Sequence, residues 1–164
     1  VGIAVEVALA MEPWAAYAHR ARGHGPLMWG FHKSHHAKKR GYFEKNDWLS
    51  GMHAPAAILS IAFAVFGPGP SLFGDIVFAI GVGMTVFGVS YFVFHDGMVH
   101  GRLPVAYLRK VPLFARWEAA HLVHHRRNAE PYGFFLGPQE VARADRRRAK
   151  PEAVNTSAPS QGTA

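Results

Sequence analysis

The chain of 164 residues contains no cysteine. That one absence excludes disulfides, thiolate metal sites and cysteine nucleophiles, so any metal must be held by nitrogen and oxygen. Acidic residues are few, 11 against 18 Lys and Arg, and the formal net charge is +7. Charge of either sign is missing from Leu49 to Gly74 and again from Ile76 to Phe94, with Asp75 alone between. Lys and Arg are missing from 1–18 as well.

Uncharged apolar runs of roughly 18 residues or more are candidate membrane crossings. Ile76–Phe94 has nineteen. Leu49–Gly74 carries Pro55 near its start and Gly67-Pro68-Gly69-Pro70 near its end, so its helical part is expected nearer Ala56–Phe66. That is short for a span unless the helix tilts or the bilayer thins. A buried helical hairpin in a soluble protein would show the same runs. Two of them in a chain this small, however, leave too little polar residue to cover them, and the membrane reading is preferred. Val1–Tyr17, apolar except for Glu6 and Glu12, reads as a shortened first crossing. Its head is too poor in basic residues for a signal peptide, and a start at Val in place of Met suggests a missing N-terminal piece.

All eighteen Lys and Arg fall between Arg20 and Lys45 or between Arg102 and Lys150. By the positive-inside rule the chain runs inward, outward and inward again, and both basic segments end on the cytoplasmic face. The net charge then reads as attraction to anionic membrane lipid. No nucleic-acid partner is expected, because the basic residues are interleaved with histidines and form no separate patch. The fold class is therefore an all-α integral membrane protein, about three transmembrane helices with cytoplasmic or interfacial helices beside them. Residues 1–142 form one membrane domain, and 143–164 a charged, then disordered tail.

What the chain does have is histidine, eleven of them. His32-Lys33-Ser34-His35-His36 and His121-Leu122-Val123-His124-His125 share one spacing. Positions i, i+3 and i+4 lie on one helix face, so three rings can converge on one point. A looser pair precedes each triplet, His19 with His24 and His95 with His100. Five residues is about 140° around an ideal helix, so the helix must loosen within each pair, and Gly23, Gly25-Pro26, Gly97 and Gly101 are the natural breakers. Pair, triplet, pair, triplet reads as a duplicated metal-binding half-site, too many ligands for one ion and about right for two. His53, alone near the start of an apolar helix, reads as structural.

Several neighbours are candidates to orient these rings. Glu12 lies about two turns before His19, and Glu118 one turn before His121. Glu44 and Asp47 precede the second crossing, where Asn46 or Asp47 could equally cap a helix. Asp96 adjoins His95. Trp29 and Phe31 read as interfacial anchors. Gly81, Gly83 and Gly88 either let helices approach closely or leave room for an apolar substrate. The aromatic loop Pro131–Pro138 either lines a substrate mouth or dips into the interface.

Imidazole suits zinc, copper, iron and nickel. A hydrolytic dizinc site would favour carboxylate bridges in a soluble cleft. A transporter would place ligands inside the crossings. Oxygen chemistry on a lipid-soluble substrate fits ligands at a membrane face best, with a non-catalytic metal-binding membrane protein as the alternative.

The pattern HxxxxH, HxxHH, HxxxxH, HxxHH resembles the fatty acid hydroxylase/sterol desaturase superfamily of membrane di-iron enzymes. The resemblance is carried by Trp29–His36, Phe43–Asp47, Tyr91–His100, Ala120–His125 and Gly133-Phe134, and covers roughly Met11 to Pro138. His95-Asp96-Gly97-Met98-Val99-His100 and the short loop between the apolar runs point within it to the branch acting on carotenoids. The resemblance implies two iron ions held by His19, His24, His32, His35, His36, His95, His100, His121, His124 and His125. It implies O2 as co-substrate, hydroxylation at C3 of β-ionone rings, and electrons from a ferredoxin and an NAD(P)H-dependent reductase. It also implies residence in a bacterial inner membrane. A fatty acid or sterol hydroxylase or desaturase would share the same motifs.

Overall fold

The structure, a computed structural model, describes residues 1–37 and 42–149, and the expected disordered tail at 150–164 lies outside the described residues. Among the described residues every regular element is helical. Helix α1 spans Gly2–Ala18, α2 Trp29–His36, α3 Asp47–Ser50, α4 Ala54–Phe66, α5 Leu72–Tyr91, α6 Pro112–Arg127 and α7 Gly137–Ala149.

Local sequence explains the boundaries. Pro55 sits in the first turn of α4, where a missing N–H costs nothing. The Gly67–Pro70 stretch ends α4, and Ser71 restarts the chain by accepting the Gly74 N–H at the head of α5. α4 begins two residues before the expected Ala56, and α3 extends it into a 20-residue unit, Asp47–Phe66, long enough to cross a bilayer. α5 continues without a break to Val99, giving a 28-residue unit. Among the described residues two helices reach the length and hydropathy of a candidate crossing, and α1 has 17 residues.

The apolar side chains of those two helices point outward. Only 6% of one apolar window and 11% of the other is buried inside the protein, and Phe66 is 86% exposed. Apolar surface on that scale is not left to water, at about 25 cal/mol per Å². Lipid is a medium that suits it.

α5 packs against both α1 and α4. A Cβ on Gly81 would lie 3.0 Å from Ala57 O of α4, and one on Gly83 would lie 2.5 Å from Ala4 O of α1. These two glycines serve close helix approach. Gly88 has nothing within 4 Å of its ideal Cβ and borders a cavity.

The well-buried end of the molecule is polar. Its buried residues include His32, His35, His95, His121 and His124, with Met98 and Phe134 among them. α6 and α7 pack together over this end, and Ala144 of α7 is buried. The division expected after residue 142 falls inside α7.

Candidate metal centre

Each histidine pair is brought to one side by a π-helical turn. His19–Gly23 continues α1 with the His24 N–H bonded to His19 O at 3.0 Å. Phe92–Val99 continues α5 with the His100 N–H on His95 O at 3.1 Å. These are i→i+5 bonds, so the five-residue spacing matches the widened turn. The loosening expected from Gly and Pro is thus delivered by over-wide helix, not by helix termination. Gly23 still matters, because a Cβ there would sit 3.2 Å from the His19 ring. Gly101, at φ +66°, makes the turn after the second pair.

The triplets do not converge on one point as expected. On a helix, i and i+4 are about 40° apart, whereas i+3 lies about 60° to the other side of i. His32 and His36 therefore face His19 and His24, and His124 joins them; one ring nitrogen from each of the five lies within 4.8 Å of the others. Nε2 separations are 2.9 Å for His19–His32, 3.1 Å for His32–His36, 3.1 Å for His36–His124 and 3.3 Å for His24–His124. His35, His100, His121 and His125 form a second group. There the separations are 2.8 Å for His121–His125, 3.1 Å for His35–His125 and 3.1 Å for His100–His121. His95 adjoins that group, its Nε2 3.2 Å from His35 Nε2 and its ring stacked on His35. Each triplet sends its second histidine, His35 or His124, to the other repeat's group.

The outer nitrogens show what the inner ones are for. Nδ1–H of His19 donates to Tyr132 O, and that of His124 to Ala129 O, both at 2.8 Å. Those of His32, His35 and His95 donate to Asn46 Oδ1 at 2.8 Å, Glu44 Oε1 at 3.2 Å and Asp96 Oδ2 at 3.1 Å. Carbonyls and carboxylates only accept, so the proton is on Nδ1 and a neutral ring presents a bare Nε2. The pair His19–His32 therefore sets two lone pairs face to face. Such contacts repel unless a cation lies between them. Nitrogens about 2.0–2.1 Å from one ion stand about 2.9–3.4 Å apart, which is the spacing found. Burial, and then the neighbouring imidazoles, lower the ring pKa values: His19, His35 and His121 fall well below the ordinary value, His24 to about 4 and His125 to about 3. At pH 7 these rings are neutral, the form that binds metal. The residues fit two metal ions, and imidazole donors alone do not choose among zinc, copper, iron and nickel.

The two groups differ in their surroundings. Around the His19 group the acceptors are uncharged: two main-chain carbonyls and an amide, itself oriented by donation from Asn46 Nδ2 to Ser50 Oγ. Around the His35 group they are carboxylates, tied together by Arg102. Its guanidinium reaches Glu44 and Asp47 at 2.7 Å each and Asp96 at 3.2 Å.

Of the five carboxylates singled out in the sequence, Glu44 and Asp96 touch histidines. Asp47 holds Arg102 and accepts the Glu44 N–H. Glu118 pairs with Arg109 at 2.8 Å. Glu12 accepts the Leu136 N–H at 2.9 Å. With Glu140, which accepts the Tyr132 and Gly133 N–H groups, it pins the aromatic loop beneath the rings. That loop puts Tyr132 against His19, His24 and His124, and Phe134 against His95 and His121. Trp29 is no simple interfacial anchor, since its ring packs on His24 and His36. Asn46 offers no side-chain cap to α3 and serves His32 instead. His53 stands apart from both groups and accepts the Trp14 Nε1–H at 2.8 Å. Arg102 and Ala129 escaped the sequence reading, which took Asn46 for a possible helix cap and Tyr132 only as part of the aromatic loop. Arg102 had a usable signal, an isolated arginine two residues beyond a ligand in a chain short of acids.

A cavity of about 490 Å³ leads away from the rings between α1, α4 and α5. His19, His32 and His35 stand at one part of its wall, and Ala15, Ile58, Met84 and Gly88 line its apolar remainder. Such a volume is that of a small-molecule site, placed here between helices that present apolar faces to lipid.

Residues 4–139 match the fatty acid hydroxylase family, and the chain belongs to that membrane-associated family. Among curated relatives it is 43% identical over 141 residues to the chloroplastic beta-carotene 3-hydroxylase of Gentiana lutea, and 43% identical over 141 residues to beta-carotene 3-hydroxylase 1 of Arabidopsis thaliana. These alignments take in 85% of this chain but only 43% and 44% of the plant proteins, so the chain spans less than half of their length. It is 39% identical over 141 residues to the beta-carotene hydroxylase of Paracoccus sp. (strain PC1), with 83% of each chain covered. No solved structure gives a significant match.

Proposed function

We propose that this protein is a membrane di-iron monooxygenase that hydroxylates C3 of the β-ionone rings of β-carotene, giving β-cryptoxanthin and then zeaxanthin. The observation that carries the reading is the pair of imidazole groups at the wall of an apolar cavity between lipid-facing helices. The names of the plant and Paracoccus relatives supply the substrate class. Bound iron would activate O2 at these rings. The net change breaks one ring C–H bond and the O–O bond, forms C–OH and water, and consumes two electrons and two protons. The chain's own part is positional. Nδ1–H bonds to Tyr132, Ala129, Asn46, Glu44 and Asp96 lock the rings that point Nε2 inward. The cavity admits the end ring of a long apolar molecule from the bilayer and keeps water from it.

The ten histidines are the ligands, five per iron, with His95 completing the His35 group. α1 serves as a third crossing: its 17 residues span about 26 Å and it packs on α5. The grouping of Lys and Arg supports a metal centre on the cytoplasmic face, and the likeness to the Paracoccus relative supports a bacterial inner membrane. Electrons come from a ferredoxin served by an NAD(P)H-dependent reductase. The test is expression in a bacterium that accumulates β-carotene, followed by pigment analysis. Zeaxanthin and cryptoxanthin are expected. Unchanged β-carotene with the protein present and iron-loaded refutes the reading.

A further inference from the structure

A second hollow, about 270 Å³, shares only Tyr132 with the apolar cavity. Arg20, Arg127 and Arg148 line it. All three are exposed, and none is ion-paired to a carboxylate among the described residues. Glu130, the acid in the lining, is taken by Arg147 at 2.8 Å. The Arg20 guanidinium lies 6.0 Å from the Tyr132 ring centroid. Ala129 and Tyr132 also border the hollow, and their carbonyls hold His124 and His19. Two lining residues of a basic surface hollow are thus hydrogen-bonded to two rings of one metal group.

We infer that this hollow is the docking site of an acidic one-electron carrier protein and that electrons enter through the His19 group. The inference rests on the hydroxylase reading, which requires two electrons for each C–H bond converted. Two molecules of reduced carrier each give one electron and leave oxidised. Three uncompensated guanidinium groups steer an acidic partner and fit its carboxylates in forked pairs. An anionic bilayer surface fits less well, because membrane-lying helices bring apolar anchors. From Gly137 to Ala149 no large apolar side chain is exposed. The apolar cavity is the route for substrate, which leaves the basic hollow for the electron donor.

The test uses the full-length, iron-loaded protein in lipid nanodiscs with an acidic ferredoxin and its reductase. Arg127→Glu with Arg148→Glu is expected to weaken ferredoxin binding and raise its KM by about tenfold or more, and to flatten the salt dependence. Arg127→Gln with Arg148→Gln, gentler on the helix ends, is expected to give a smaller shift in the same direction. Single turnover after reduction by dithionite should stay at the unmutated level, since neither arginine touches the rings. Arg116→Glu, exposed on α6 about 16 Å from Arg127 along the helix, should change nothing. Unchanged ferredoxin affinity in both double variants, or an equal loss in Arg116→Glu, overturns the inference. So does a rate that follows anionic lipid content while ferredoxin KM stays constant. Ferredoxin binding measured directly reads docking even where no product forms, whereas a dithionite-reduced unmutated protein that makes no hydroxylated carotenoid sinks the hydroxylase reading alone.

Discussion

Arg102 is the residue on which the two metal groups should come apart. Its side chain is only 10% exposed and binds Glu44, Asp47 and Asp96 together. Two of those carboxylates hold His35 and His95, while none of the three touches a ring of the His19 group. Arg102→Ala leaves three anions crowded in a half-buried pocket, free to swing away from the rings they orient. Breaking a fully buried pair costs about 3–5 kcal/mol; Glu44 and Asp47 are 18% and 24% exposed, so the stability loss should sit near the lower end. Loss of an outer partner typically weakens metal binding about 10–100-fold, or about 1.4–2.7 kcal/mol. The loss should fall on one of the two ions. The assay is metal content per polypeptide during dialysis against a graded chelator, with Mössbauer spectra to separate the two iron environments. One equivalent should leave early in Arg102→Ala, and Arg102→Lys should lie between, since it keeps the charge without the fork. Equal loss of both ions, or no loss, would refute the separation of carboxylate-backed and carbonyl-backed groups.

His32→Ala and His35→Ala should each abolish zeaxanthin formation, yet deplete different iron environments in the same spectra; depletion of one common environment would deny the split of the triplet. Gly88→Leu should leave the fold intact, because its Cβ meets nothing within 4 Å, while raising KM for carotenoid by filling the cavity; an unchanged KM would remove the cavity from the substrate path. Gly83→Leu should prevent stable expression, with Ala4 O 2.5 Å from the new Cβ, and a normally folded variant would contradict the α1–α5 packing. The metal-free protein should lose thermal stability as pH falls from about 6.5 toward 4, because burial holds His24 near 4 and His125 near 3 while the unfolded chain takes up protons at the ordinary imidazole pKa. Above about pH 7 the melting temperature should be flat, and a melting temperature that rises on acidification would have the wrong sign.

Periodicity and composition were sufficient for the apolar helices, since both are statements about neighbouring residues. They could not separate Gly81 and Gly83 from Gly88, because what a missing Cβ makes room for depends on the helix opposite. The candidate ligands were visible as spacing, but spacing was read on an ideal helix. A π turn changes which residues share a face, and nothing in His19–Gly23 or Phe92–Val99 announces one. The triplets lie on ordinary α-helix, where the i+3 ring sits about 60° to the other side of i, so His35 and His124 diverge from their neighbours. Glu44 and Asp96 lay close in sequence to histidines, and the fold kept them close. Glu12 and Glu118 satisfied helical spacing equally well, yet their partners, Leu136 N–H and Arg109, come from other segments. Carbonyl acceptors such as Tyr132 O and Ala129 O have no side-chain signature at all.

The exchange of His35 and His124 has a consequence for how the molecule holds together. If each triplet served only its own pair, the N-terminal and C-terminal repeats could each close a metal site alone. α2 and α6 would then be joined by little more than ring packing. Because each lends one ligand across, neither group is complete within one repeat, and an ion in either one ties α2 to α6. The closest contacts between them are imidazole to imidazole, Nε2 to Nε2 at 3.1 Å for His36–His124 and for His35–His125, an arrangement that a shared cation would hold. Metal ions bound there would therefore contribute to assembly of the histidine-bearing layer as well as to chemistry. The apolar helices need no such help where lipid covers them. The two halves of the stability problem would then be met by different media: lipid for the outward apolar faces of α4 and α5, and bound metal ions for the layer that must stay polar.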